Sequence, residues 1–291
     1  MHPDVQPKLL VMTATIVPPA QVIASHRNDP AERMRDYAEA LKFYLSDRCR
    51  LIDRVVFIDN SLADLTPLRA TARDHGGAKQ VEFVSFYGLD YPPEYTKGYG
   101  EFKLLDHGVE HSRLLGGLGS DDKWWKVTGR YRATNLDRLI CTAPGAYDLY
   151  ADFRWRKQRV DVRLLSFSQS GYQRLFLGRY PEMAGVQLED YFFQRFAPLF
   201  EGDGEQAAGI IPEFHDVPRI EGIGGFRNMN YMSGKYRLIY HARATMQFFK
   251  NLMKPRRWEL ASRAAPRAGR RQSASNAKRS DSGAAARRHE A

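Results

Sequence analysis

Four short segments carry side chains whose types and order could do chemistry. Residues 55–64 (VVFIDNSLAD) end an apolar run in Asp59. A carboxylate at the carboxyl end of an α/β strand faces the ligand crevice and can accept hydrogen bonds from a base or ribose. The same Asp-Asn-Ser triplet reads equally well as a helix-capping turn. Residues 97–101 (KGYGE) set Gly98 and Gly100 at a helix entry. Backbone N–H groups and the helix dipole favour phosphate there, and Lys97 adds a point charge; a GxG elsewhere is only a turn. Residues 126–131 (KVTGRY) end a strand in Gly-Arg, which puts the Arg130 guanidinium at the sheet edge, suited to bidentate contact with a diphosphate. A surface arginine after a turn is the plainer alternative. Residues 188–195 (LEDYFFQR) place Glu189 and Asp190 at a helix start. They serve either as dipole-favoured capping acids or as a general base for an attacking hydroxyl.

The elements that must position these segments follow from apolar periodicity. Residues 8–17 predict a buried strand ended by Pro18-Pro19, and Asp29-Pro30 opens a helix whose apolar face is Met34, Tyr37, Ala38, Leu41, Tyr44 and Leu45. Further strands are expected at 53–58, 81–86 and 124–128, with helices at 65–75 (closed by Gly76-Gly77) and 98–115. Alternation of strand and helix implies an open α/β sheet with right-handed crossovers. Beyond residue 130 the pattern loosens to strands at 139–142, 146–153 and 162–167, and helices at 172–177, 188–200 and 235–252.

The net charge of +10 is unevenly placed: residues 255–291 hold ten Arg/Lys against three acids, so the rest of the 291-residue chain carries only +3. That tail of Arg, Ala, Ser, Gly and Pro cannot bury enough apolar surface to offset its ordering entropy, so disorder is expected there. The division is a catalytic domain over 1–254 and a basic tail over 255–291. Two cysteines without metal-ligand spacing, no signal-like N-terminus and no run of about 20 apolar residues point to a reducing cytoplasm.

Taken together and in this order, the segments resemble the GT-A glycosyltransferases, especially inverting ones, over roughly residues 8–240. The turn Asp59-Asn60-Ser61-Leu62-Ala63-Asp64 is similar to that family's D-x-S-x-D-like turn, and Glu189, Asp190 and Arg195 to its later Glu-Asp motif. The resemblance implies a single GT-A-like α/β domain with an open, mostly parallel sheet flanked by helices. It also implies a nucleotide-sugar donor, a hydroxyl acceptor on a surface-polysaccharide or lipid-linked glycan, and Asp190 as the catalytic base, with Glu189 beside it in the catalytic pair. Asp59 and Asp64 would lie near the nucleotide, completing a donor-binding set with Thr13, Lys97, Gly98, Gly100 and Arg130. One departure matters: the family's Asp-x-Asp metal motif is absent, and Gly129-Arg130-Tyr131 stands in its place. Arg130 with Lys97 then replaces the divalent ion; the alternative is Mn²⁺ or Mg²⁺ held loosely by Asp148 or Asp152.

On the acceptor side, Arg154 and Arg156 belong to a basic run around Trp155. It is either a solvated face or a site for an anionic glycan or lipid-linked diphosphate. Gly224, in the GIGG loop, would close over the acceptor or form a turn. Phe248, Phe249, Leu252 and Trp258 interleaved with Lys250, Lys254, Arg256 and Arg257 suit an anionic membrane surface at the inner face of the cytoplasmic membrane, or a last core helix. The rival functions are a nucleotidyltransferase and a non-catalytic basic binder of nucleic acid or another anionic polymer. Charge confined to the tail argues against specific nucleic-acid recognition.

Overall fold

In the computed structural model the first strand, β1 (Lys8–Ala14), is buried on both faces, as its unbroken apolar run requires of a central strand. The structure describes residues 6, 8–19, 27–201, 207–224, 231 and 233–253. The chain divides into two compact units, Met1–Lys254 and Pro255–Ala291. All described residues belong to the first unit, and the expected disorder of the tail lies outside them.

Asp29 accepts from the Ala31 N–H and starts α1 (Pro30–Leu45). There follow β2 (Ile52–Asp59), α2 (Thr66–His75), β3 (Gln80–Ser85), α3 (Lys97–His111), the short α4 (Arg113–Gly116) and β4 (Lys123–Thr128). Then come β5 (Arg132–Ala133), α5 (Leu136–Cys141), β6 (Leu149–Arg154), β7 (Arg159–Ser168), α6 (Gln169–Leu175), α7 (Leu188–Phe196), β8 (Ile210–Ile211), β9 (Ile220–Glu221) and α8 (Gly234–Met253). Seven strands form one sheet in the order β3-β2-β1-β4-β7-β6-β8, and β5 pairs with β9 in a second, two-stranded sheet. The β3–β2–β1–β4 half is parallel throughout; β7 runs antiparallel to both of its neighbours. The sheet is thus open, mostly parallel and flanked by helices, as the GT-A-like expectation required.

Side chains alternate across this sheet and build a core on each face. Leu10, Met12, Phe57 and Trp125 pack with Tyr37, Leu41 and Tyr44 of α1. Leu9, Val11, Trp124 and Phe167 face Phe102 of α3, Tyr172 of α6 and Phe192 of α7. Strand order reverses between β1 and β4, and the carboxyl ends of both open there onto the entry of α3.

One expectation fails. Residues 139–142 are not a strand: Leu136, Leu139 and Ile140 are buried at helical spacing within α5. The Asp137 carboxylate accepts from the Arg50 and Leu51 N–H groups, which fixes that helix against the loop before β2. Gly98 and Gly100 stand in the first turn of α3, at the helix entry expected of them. Strands β5, β8 and β9 are two residues each, too short to show a period in sequence.

Candidate functional site

At the switch point between β1 and β4 lies a cavity of ≈ 150 Å³, room for on the order of ten waters. Open α/β sheets bind ligands in this position. The end of β1 contributes Thr13 and Ala14, the end of β2 Asn60, β4 and its turn Thr128 and Arg130, α3 Lys97, Gly100 and Glu101, and α1 Arg33 and Tyr37. Four of the sequence-predicted donor residues, Thr13, Lys97, Gly100 and Arg130, therefore meet in one cavity.

Its electrostatics are set by three cations. Arg33 is buried; its guanidinium donates to the carbonyl oxygens of Thr15 and Arg27 and so faces the loop after β1. Lys97 has its ammonium drawn below the usual lysine range, first by partial burial and then by the charges of Arg130 and Arg33. Arg130 carries the clearest signal: its Nε and Nη1 are buried without a hydrogen-bond partner among the described residues. Unpaired donors buried this way cost roughly 1–3 kcal/mol each, and an anion among the three cations would remove that cost.

Beneath the cations lies a buried polar network. The Lys126 side chain, 0% exposed in the middle of β4, reaches Glu101 Oε1 at 2.5 Å and donates to the Val162 carbonyl oxygen at 2.8 Å. Thr13 Oγ1 and Thr128 Oγ1 donate to the same Glu101 oxygen at 2.9 and 3.1 Å. Glu101 is thereby committed to locking α3 onto the ends of β1 and β4. Close approach makes the rest possible. A Cβ on Gly129 would lie 2.8 Å from the Thr13 carbonyl oxygen, on Gly98 2.9 Å from Leu188 Cβ, and on Gly100 2.2 Å from the Tyr91 hydroxyl. Gly98 and Gly100 thus serve packing: Gly98 seats α3 on α7, and Gly100 lets Tyr91 cover the cavity.

The remaining predicted residues lie elsewhere. Asp59 is fully buried, and its carboxylate accepts from the N–H groups of Ile16, Ser61 and Ala63 and from the Ser61 hydroxyl. It ties the loop after β2 to the loop after β1 and does not line the cavity; its neighbour Asn60 does. Asp64 is exposed and accepts from the Thr66 N–H at the start of α2. Asp190 forms an ion pair with Arg159 at 2.7 Å, outside the cavity lining. Glu189 is also outside the lining, but its charge acts on Lys97. Arg154 is bound to Asp152 and Asp161, Arg156 stands exposed between β6 and β7, and Gly224 is buried after β9.

Sequence reasoning missed Arg33, Glu101 as a lock, and Lys126. Two signals were available. Arg33 stands four residues before Tyr37, one turn into α1 on the side of its apolar face, and Lys126 is a lone charge inside the apolar run of a central strand. Neither residue type is buried without a reason.

The residues present do not fit a divalent cation. Among the described residues no group of three or more His, Cys, Asp or Glu side chains converges, and the cavity is lined by positive charge. Asp148 is engaged by Ser168 and Arg174, and Asp152 by Arg154 and Arg243.

No family model matches the chain, and no curated protein does. Among solved structures it is similar to the galactosyltransferase LgtC in complex with donor and acceptor sugar analogs, at TM-score 0.41 and 11% identity over 83% of this chain and 95% of that one. It is also similar to 4-diphosphocytidyl-2C-methyl-D-erythritol synthase, at TM-score 0.39 and 10% identity over 80% and 96%. HddC from Yersinia pseudotuberculosis is similar at TM-score 0.31 and 13% identity over 66% and 99%. Likenesses of this depth carry no argument about activity. The class stands on the molecule itself: an open α/β sheet with a cationic cavity at its switch point.

Proposed function

We propose that the chain is a GT-A-type glycosyltransferase that moves a sugar from a nucleotide-sugar donor to a hydroxyl of a surface-polysaccharide or lipid-linked glycan. The observation that carries this reading is the group Arg33, Lys97 and Arg130 around one cavity, with two Arg130 nitrogens buried and unpartnered. In the transfer, the acceptor oxygen attacks the anomeric carbon while the bond from that carbon to the diphosphate oxygen breaks. The nucleoside diphosphate leaves with the electron pair, and the three cations stabilise the charge it gains. The acceptor proton passes to a carboxylate at the start of α7. Glu189 is better placed than Asp190, because its charge reaches Lys97 while Asp190 is engaged by Arg159. Inversion at the anomeric carbon rests on the Glu-Asp resemblance, and independence from Mn²⁺ or Mg²⁺ on the cationic lining.

No helix among the described residues is long and apolar enough to cross a membrane. Helix α8 leaves Leu238, Met246, Phe248, Phe249 and Leu252 more than half exposed ahead of the basic tail. That pairing supports contact with an anionic membrane surface at its cytoplasmic side.

A thermal-shift panel with UDP, GDP, CMP and dTDP, each with Mn²⁺ and with EDTA, tests the donor site. One nucleotide should stabilise the protein in both conditions, and Arg130→Ala should remove the shift. A shift that vanishes in EDTA and returns with Mn²⁺ sinks metal independence; no shift with any nucleotide sinks the transferase. Nucleotidyl transfer is distinguished by product: diphosphate released from a nucleoside triphosphate and a sugar phosphate, instead of nucleoside diphosphate from a nucleotide sugar.

A further inference from the structure

A second cavity of ≈ 340 Å³ lies among β6, β7, β9 and α8 and shares no lining residue with the first. It has room for on the order of twenty-five waters. Six cations line it, and they fall into two groups.

Arg154, Arg163 and Arg243 are held in place. Arg243 Nη2 donates to both oxygens of Asp152 at 2.8 and 3.1 Å, while Arg154 and Arg163 share Asp161. Burial pushes the Asp161 carboxyl up, but Arg163 and Arg154 overcome that and hold it well below the usual carboxylate range. The Arg163 guanidinium is also laid over the Tyr231 ring, 4.5 Å from its centroid.

Lys157, Arg219 and Arg237 are not balanced in this way. Arg219 shares Glu221 with Arg132, at 3.3 and 4.0 Å. Lys157 and Arg237 are exposed and have no carboxylate partner among the described residues. Against six lining cations stand Asp152, Asp161 and Glu221, an excess of three positive charges at one concave surface. A purely structural network gains nothing from like charges gathered without counterions.

The rest of the wall fits the polar and apolar parts of a sugar. Tyr231, Tyr236 and Tyr240 line it, with Tyr231 and Tyr236 edge to face at 5.1 Å. Tyr231 also packs on Tyr131 at 5.7 Å, and Tyr131 follows Arg130 of the first cavity directly. The two cavities are therefore joined through one residue step.

We propose that this second cavity binds a phosphoryl group carried by the acceptor, so that the enzyme selects a phosphorylated or diphosphate-linked glycan. The carboxylate-fixed guanidinium groups form a rigid frame that holds Lys157, Arg219 and Arg237 toward a phosphoryl group, and the compact concave wall restricts the ligand to a small anion instead of a polymer. The word acceptor rests on the transferase reading; phosphoryl binding does not.

Calorimetric titration of the full chain with inorganic pyrophosphate tests it, in an Arg130→Ala background that silences the first cavity. One pyrophosphate site should remain. Adding Lys157→Ala and Arg237→Ala, both at exposed positions, should weaken it at least about tenfold with an unchanged melting temperature. The proposal is overturned if Arg130→Ala alone abolishes pyrophosphate uptake, or if the added pair leaves it unaltered. Glucose 1-phosphate and farnesyl diphosphate separate the two phosphoryl sources, the tighter binder naming the one used. Glucuronate binding as tightly as either overturns the phosphoryl assignment. A retained pyrophosphate site in a protein that binds no nucleotide would support this cavity and remove the transferase reading.

Discussion

The two cavities handle positive charge in opposite ways. At the switch point, Arg33, Lys97 and Arg130 share one lining carboxylate, Glu101, and that carboxylate is committed to the buried Lys126. Two Arg130 nitrogens stay buried and unpaired among the described residues. In the second cavity, three arginines are fixed by Asp152 and Asp161, and only the remaining cations are open to a ligand. The difference teaches where to look for function. Charge left unpaired at a cost to folding marks a ligand site, whereas paired charge marks the frame that shapes one.

The largest effects should come from breaking the frames. Asp161→Asn leaves Arg154 and Arg163 facing each other without their shared anion. Glu101→Gln does the same to Lys126, whose side chain is 0% exposed. Removing one partner of such a pair costs about 3–5 kcal/mol, read as a shift in urea midpoint. A loss under about 1 kcal/mol for Asp161→Asn would erase the contrast between frame and site.

Next in size is Arg130→Met. Nucleotide affinity should fall roughly 10- to 100-fold, the worth of a charge-assisted pair with a diphosphate. Stability without ligand should hold or rise, because the unpaired guanidinium is gone. A melting temperature that drops along with affinity would make Arg130 part of the frame instead. In the same titrations, affinity measured with EDTA should match that measured with Mn²⁺ within about twofold.

The smallest effect is a pH dependence that separates the two sides. Asp106, on α3, accepts from the Tyr172 hydroxyl and the Gly178 N–H, and burial pushes its carboxyl up to about 6. A folded-state value above the unfolded one means its contribution is full at low pH and is lost as pH rises from about 4 to 6. Asp161 shifts the other way, so its contribution holds above its unfolded value and falls away only in stronger acid. Between pH 4 and 6 the wild type should therefore lose of order 1 kcal/mol relative to Asp106→Asn, while Asp161→Asn, which keeps Asp106, should follow the wild-type slope. An Asp106→Asn variant that keeps the wild-type slope would show that burial does not set Asp106 apart.

The fold of the first 130 residues was legible in the sequence because its signals are local. An unbroken apolar run such as Lys8–Ala14 fits a strand buried on both faces, and Asp29-Pro30 fixes where α1 starts through one capping bond and one locked φ angle. Thr13, Lys97, Gly100 and Arg130 could be drawn toward one cavity because each sits at a strand end or helix start, and the carboxyl ends of parallel strands converge. Past residue 130 local pattern fails. Residues 139–142 favour strand by composition, but α5 is decided by burial of Leu136, Leu139 and Ile140 and by Asp137 holding Arg50 and Leu51.

What the sequence by itself determined is the alternation of elements and the residue types at their ends. Tertiary structure alone decided which charges are paired. Asp59 became a clasp that reaches the Ile16 N–H, Glu101 a lock for Lys126, and Asp190 a partner of Arg159, each pair met across 25 to 43 residues of chain. Coulomb interactions depend on distance and burial in space, and neither is encoded in the spacing of residues along the chain.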